Sequence, residues 1–257
     1  MASGTAHRPS TRRFTWGPLS AAGRAMLDLL FPPRCTACEQ PWSAPPGRPQ
    51  WCPVCDARLA VDRRPRCDRC ATLRSPSDVR GCRGCARRRP AFAAARTIGD
   101  YEGALREAVL RSKQAQHSDL AADLGRRLAE ALTTSPFPRE PDLVVPVPMH
   151  WLRRLWRQNN HAQWIARSLA WQMGWNYSDR HLVCRRFVQR QSTLSAAQRR
   201  HNVRNAFGVR GTLAGACILV VDDVMTTGAT AHEAARALTA AGAACVWVAT
   251  VSRSLFH

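Results

Sequence analysis

Four Cys-x-x-Cys pairs crowd into residues 35–85: Cys35/Cys38, Cys52/Cys55, Cys67/Cys70 and Cys82/Cys85. Thirteen residues separate the first pair from the second, and eleven separate each later pair from the one before it. Two residues between Cys let both sulfurs of a knuckle reach one metal. Two knuckles complete a tetrahedral shell of four sulfurs, the closed structural geometry preferred by Zn²⁺. Eight thiolates therefore predict two zinc ribbons holding two structural Zn²⁺. Sequential pairing of the knuckles is simplest, and an interleaved arrangement stays open. No His lies in residues 35–92, and the pairs are too many for one redox dithiol. The metal is thus expected to fold the module rather than catalyse. The same stretch is rich in Arg and Pro and poor in aliphatics, so it cannot bury enough apolar surface to fold unaided.

Metal-binding thiolates belong in a reducing compartment. Residues 1–24 carry several Arg, no acid and no apolar run of signal length, so a flexible tail or an organelle transit segment fits them, and a cytoplasmic protein is expected. No apolar run approaches the roughly 20 residues of a membrane span. Cys184, Cys217 and Cys245 sit in apolar contexts and are expected to be inert core thiols. Net charge is +20, from 38 basic and 18 acidic residues. Such a balance attracts polyanions: nucleic acid, a phosphorylated metabolite or an anionic membrane surface. The cations are almost all Arg; the only Lys is Lys113. Arg63, Arg64, Arg66, Arg69, Arg87, Arg88 and Arg89 make the Cys module strongly basic, which suits a nucleic-acid contact or a solvated face.

Composition divides the chain into three: a basic N-terminal extension with a short helix at Ala25–Phe31 (1–34), a double zinc ribbon (35–92) and a region of ordinary globular patterning (93–257). In the last, helices are predicted over Gly103–Ser112, Asp119–Leu132, Ala162–Met173, from a Ser195 cap through Asn205, and over Thr230–Ala241. Leu143–Val147, Ile218–Val221 and Val246–Val251 read as buried strands. Strands alternating with helices of this length predict an α/β fold, a parallel sheet with helices on both faces. Trp164 and Trp171 are seven apart on a helix and are expected in the core. Trp151-Leu152-Arg153-Arg154-Leu155-Trp156-Arg157 mixes rings and cations, and fits either an amphipathic helix or a single-strand contact.

Residues 218–230 read Ile-Leu-Val-Val-Asp-Asp-Val-Met-Thr-Thr-Gly-Ala-Thr. A strand runs into two acids, then a Thr- and Gly-containing turn, then a helix. Backbone N–H groups of residues 225–229 and the hydroxyls of Thr226, Thr227 and Thr230 can surround one phosphate at the helix N-terminus. Gly228 lets the backbone come close. Asp222 and Asp223, as acceptors, suit two adjacent ribose hydroxyls. This run resembles the signature of type I phosphoribosyltransferases. The ligand set it implies is Asp222, Asp223, Val224, Met225, Thr226, Thr227, Gly228, Ala229 and Thr230.

The four Cys pairs, Arg89-Pro90-Ala91-Phe92, Tyr101, Val145-Pro146-Val147-Pro148, Asn202 with Asn205-Ala206-Phe207, and the Asp-Asp turn occur in one order. In this the chain resembles the ComF family, in its GntX-type branch with both ribbons, over about residues 30–253. The resemblance implies a type I phosphoribosyltransferase-like sheet preceded by a double zinc ribbon. It implies phosphoribosyl diphosphate with Mg²⁺ as ligand and a role in competence or in use of external DNA. Single-stranded DNA and DNA-uptake proteins are the partners it brings. It also extends the site to Met149, His150, Arg153 and Arg154 on the diphosphate side, and to Lys113 as a phosphate contact. The family's Arg-Gly-Phe-Asn-Gln motif falls on Gln158-Asn159-Asn160-His161-Ala162, where little of it remains. A Thr-Gln pair falls on Arg190-Gln191, with the Thr lost. Ser195, Arg199 and Asn202 match. Hypoxanthine-type enzymes carry a catalytic Asp where this chain has Thr226, which does not ionise near neutral pH, so that chemistry is excluded. Catalytic residues are left unassigned. Two alternatives stay open: a metabolic transferase, a glycosyltransferase passing ribose 5-phosphate to a base or amine, and a zinc-ribbon adaptor on a non-catalytic scaffold.

Overall fold

A computed structural model describes residues 30, 32–45, 48–75, 81–149, 160–186, 198 and 202–254. All of the expected helix at Ala25–Phe31 except Leu30, and most of the one begun at Ser195, lie outside these residues. The chain divides into two compact units, Met1–Pro33 and Arg34–His257. In chain order the elements are α1 (Pro53–Arg58), α2 (Arg83–Arg88), β1 (Ala94–Asp100), α3 (Gly103–Ser112), α4 (Ser118–Thr134), β2 (Leu143–Pro146), α5 (His161–Met173), β3 (Leu182–Cys184), β4 (Phe207–Val209), β5 (Cys217–Met225), α6 (Ala229–Ala240) and β6 (Cys245–Arg253).

Four strands form one parallel sheet in the order β1-β6-β5-β2, and β3 and β4 pair antiparallel beside it. Successive strand residues point to opposite faces, so a sheet covered on both sides needs unbroken apolar strands. Strand β5 supplies Leu219 and Val221 to one face and Ile218 and Val220 to the other; β6 does the same with Trp247, Ala249 and Val251 against Val246 and Val248. Helices α3, α4 and α5 cover the first face, with Val109, Leu120, Leu124, Leu128, Ile165 and Leu169 fully or nearly fully buried. Helix α6 covers the second through Ala234, Ala235 and Leu238. Strands β1, β3 and β4 were not legible as strands, because their sequences lack a run of branched or aromatic residues.

The two ribbons repeat one plan. Each opens with a tight knuckle whose first Cys donates its N–H onward (Cys35 to Gln40 O, Cys67 to Thr72 O, both 2.8 Å). Four residues after that Cys, the backbone takes a left-handed turn at Glu39 (φ 66) and at Ala71 (φ 56). The second Cys pair of each ribbon begins at the cap of a short helix, Cys52 for α1 and Cys82 for α2. Neither ribbon stands apart from the sheet. Cys35, Trp51, Cys55 and Leu59 join the core under α3 and α4, and Ala71 joins the core under α6. Composition changes at residue 92, but the packing runs across it. Along the outer edge of β1, Asp62 N–H donates to Ile98 O (2.8 Å) and Ala95 N–H to Asp68 O (2.9 Å).

Two expectations fail. Trp164 and Trp171 are 38% and 70% exposed rather than core. The buried stripe of α5 is Ala162, Ile165, Ala166, Leu169 and Ala170, and its small residues let α5 lie close against α4 at Gly125. A Trp stripe would hold these helices apart. Cys217 and Cys245 are not free thiols: they open neighbouring strands in register and are disulfide-bonded, whereas Cys184 is half-buried and its thiol donates to Arg186 O (3.2 Å).

A Cβ on Gly125 would sit 2.4 Å from the Ile165 carbonyl oxygen and 2.9 Å from Ser168 Cβ. Ala is favoured over Gly inside a helix by about 1 kcal/mol. Overpacking against backbone costs about 1–3 kcal/mol and decides the sign. Gly125→Ala is expected to lower the urea midpoint, with a net loss of up to about 2 kcal/mol.

Candidate functional site

The eight ribbon Cys gather as Cys35/Cys38/Cys52/Cys55 and Cys67/Cys70/Cys82/Cys85, the sulfurs of each group lying within 4.8 Å of one another. Pairing is therefore sequential. Cys38 and Cys52 sulfurs are 3.7 Å apart, Cys67 and Cys85 3.8 Å, and Cys70 and Cys82 3.5 Å. Ligands about 2.3 Å from a tetrahedral metal stand about 3.8 Å from each other, so both sets fit Zn²⁺. Crowding divides the acidities of the second set: hydrogen bonding with Cys67 brings the Cys70 thiol down to about 4, while the same bond pushes Cys67 up. A metal takes the place of the protons shared in this way.

The ribbons dock by different means. Asp123 of α4, fully buried, accepts from Thr36 Oγ1 (2.7 Å) and Gln50 N–H (2.9 Å) and pairs with Arg126, which ties the first ribbon to the helix. Burial is the chief influence on that carboxyl and raises its pKa in spite of these donors. Arg127 of α4 pairs with Asp56, and Arg111 of α3 with Glu39 (2.5 Å). In the second ribbon Arg66 reaches Asp62 (2.5 Å) and Asp100 at the end of β1 (2.9 Å), and Arg64 reaches the same two acids.

The phosphate-type turn lies at the carboxyl end of β5, near the middle of the sheet. Strand β5 runs further than Ile218–Val221 suggested: Asp222, Asp223, Val224 and Met225 belong to it, so the turn proper is Thr226-Thr227-Gly228. Gly228 caps α6 with φ +74, a left-handed value that favours Gly. Ala229 N–H donates to Thr227 Oγ1 (3.2 Å), and Thr230 lies in the first turn of α6.

The two acids are held differently. Asp222 accepts from Asp223 N–H (2.9 Å). Asp223 meets Lys113 Nζ at 2.7 Å and His161 Nε2 at 2.9 Å. Lys113 stands just past the end of α3 and His161 opens α5, so three elements converge on one carboxylate. Burial, then the neighbouring charge of Asp223, push Asp222 well above the usual carboxylate range. Burial of Asp223 also opposes ionisation, but the charges of His161 and Lys113 outweigh this and hold it well below. Burial pulls the Lys113 ammonium down, and Asp223 more than restores it, so its pKa is raised.

Lys113 and the Asp-Asp pair are thus brought together. Met149 lies half-buried just after β2, and His150, Arg153 and Arg154 fall outside the described residues. Sequence reading missed two residues. His161 was seen only as part of a lost motif, because its partner lies 62 positions away. Arg253, at the end of β6, is buried and donates to Met225 O (2.7 Å), Thr226 O and Cys70 O (2.9 Å).

Residues 26–86 match the double zinc ribbon domain and residues 162–254 the phosphoribosyl transferase domain. The chain is 31% identical to the DNA utilization protein YhgH of Salmonella typhimurium over 233 residues, spanning 88% of this chain and all of that one. It belongs to the ComF family. Competence protein F of Haemophilus influenzae is 26% identical to this ComF chain over 163 residues, 61% of this chain and 71% of that one. Among solved structures, the B. subtilis glutamine phosphoribosylpyrophosphate amidotransferase is similar over 51% of this chain and 25% of that one, with 27% identity and a TM-score of 0.35. By its two domain matches and its Cys sets, this ComF protein joins a type I phosphoribosyltransferase-like sheet to two structural zinc-ribbon sites. No described helix is long and apolar enough to cross a membrane.

Two predictions follow from the geometry of this site. Metal analysis of the purified protein should find about two Zn²⁺ per chain, and Cys38→Ser should lose one of them. A carboxyl with a raised folded pKa costs nothing below its unfolded value of about 3.9 and costs more as pH climbs towards the raised one. Asp222→Asn should therefore melt above the wild type at pH 7–8, with the gap closing near pH 4, measured by thermal denaturation across that range.

Proposed function

We propose that this ComF protein binds phosphoribosyl diphosphate with Mg²⁺ at the turn after β5 and works in the cytoplasm in the use of external DNA. The observation that carries the reading is the convergence of Asp222, Asp223, the Thr226-Thr227-Gly228 turn and the α6 N-terminus at one sheet end. The 5-phosphate would sit on the turn and the first amides of α6, where donors and the helix dipole favour an anion. The ribose diol would face the two acids. Lys113 and His161 would then be shared between Asp223 and the ligand, with Arg153 and Arg154 clamping the diphosphate. Mg²⁺ would come with the diphosphate and would offset its charge. Thr226 supplies no ionising group, so base-assisted transfer to a purine from this position is not part of the proposal.

Kinship with a DNA utilization protein and a competence protein supports the DNA part, and uptake proteins are the partners proposed with it. Arg64 and Arg66 are engaged by Asp62 and Asp100, while Arg63 and Arg89 are exposed. On α5, exposed Trp164, Arg167 and Trp171 place two rings and a cation along one face, a surface suited to stacking bases of a single strand.

Calorimetry with phosphoribosyl diphosphate and Mg²⁺ is expected to show binding that Asp222→Ala/Asp223→Ala abolishes; no heat from the wild type sinks the ligand assignment. Single-stranded DNA is expected to bind more weakly by at least about tenfold between low and moderate salt. Trp164→Ala/Trp171→Ala should weaken it further at fixed salt. Affinity indifferent to salt removes the nucleic-acid part.

A further inference from the structure

Arg253 touches the second ribbon and the turn at once. Its Nε donates to the carbonyl of Cys70, a ligand of the second metal set, at 2.9 Å. Its Nη1 donates to Met225 O (2.7 Å), Thr226 O and Ser254 O (3.0 Å). The guanidinium is planar and its donors are fixed relative to one another. A shift of the Cys70 carbonyl is thus carried to the carbonyls at the start of the turn. Arg253 is 3% exposed, so water cannot readily replace a lost partner.

Other contacts run in parallel with this one. Ala71, next to Cys70, packs in the same core cluster as Phe92 and Met225. A Cβ on Gly228 would meet Met225 Sδ at 3.7 Å and the Phe92 ring at 3.9 Å, so the segment leaving the second ribbon lies against the turn glycine. Ala91 N–H donates to His232 Nδ1 (3.0 Å) in the first turn of α6. The second ribbon therefore holds the turn from both sides. The first ribbon has a different seat, on α3 and α4, through Asp123, Arg127 and Arg111.

We propose that the second zinc site, acting through Arg253, is part of the frame of the phosphate-binding turn, and that the first is not. Arg253 is a positioning residue. By holding the carbonyls of Met225 and Thr226 inward it leaves the amides that follow aimed at the ligand. Zinc at Cys67/Cys70/Cys82/Cys85 fixes the Cys70 carbonyl from which Arg253 is suspended. This rests on the phosphate-turn reading for its functional meaning, but the mechanical link stands on the contacts alone.

Hydrogen exchange of the full-length protein tests it, read at residues 226–230, with strand β6 as an internal reference for an intact fold. Zinc content and phosphoribosyl diphosphate calorimetry are measured on the same samples. Arg253→Lys keeps the charge but cannot reach both sides; it should retain both zinc ions while exchange in the turn speeds up by about tenfold, the scale of one lost buried hydrogen bond. Cys82→Ser should lose one zinc and loosen the turn likewise. Cys38→Ser should lose the other zinc and leave exchange in the turn as in the wild type. Wild-type exchange at 226–230 in both Arg253→Lys and Cys82→Ser, or equal loosening in Cys38→Ser, overturns the proposal. A wild type that gives no heat with phosphoribosyl diphosphate, while the turn still responds in this pattern, overturns the ligand assignment and upholds the coupling.

Discussion

Two neighbouring carboxyl groups, one half-buried and one buried, stand at the end of a central strand. Burial penalises a charge heavily unless it is paired. One acid is given cationic partners, while the other accepts from a backbone amide. Asp223 takes Lys113 and His161, while Asp222 is pushed towards its neutral form. Those two partners come from the end of α3 and the start of α5, so the positions of both helices on the sheet are tied to this one carboxylate.

The ribbons show how a segment short of aliphatic residues becomes part of a core. Metal closes each knuckle pair, and Trp51, Leu59 and Ala71 then fill gaps in the apolar layers of the sheet. The charges are spent on docking as well. Arg64 and Arg66, which look from sequence like a surface for polyanions, meet Asp62 and Asp100 instead. A buried acid attracts the nearest guanidinium, and a chain this rich in Arg has one within reach at most such points.

Features set by short-range chemistry were legible in advance. Knuckle spacing gave the metal sets, the strand–acid–turn run gave the turn between β5 and α6, and the lone Lys113 drew notice because no other Lys competes with it. What escaped depends on distant partners. His161 matters through Asp223, and Arg253 through Cys70 and Met225, contacts that no local pattern records. Trp164 and Trp171 escaped for another reason. A spacing of seven fits either face of a helix, and the choice was made by Gly125 on α4, which demands small residues opposite it. Cys217 and Cys245 were readable as strand starts but not as partners, since their pairing needs the register of β5 on β6.

Strand β1 is the margin of the sheet, and a bare margin recruits strands from other molecules. Here the backbone of the second ribbon lies along it, with hydrogen bonds at Ala95 and Ile98. The ribbon is thus a selvedge that finishes the fabric and keeps it from joining another piece. Loss of its metal would uncover the donors and acceptors of β1 while most of the core survives. Zinc depletion in such a molecule would then favour clumping of chains that keep their sheet.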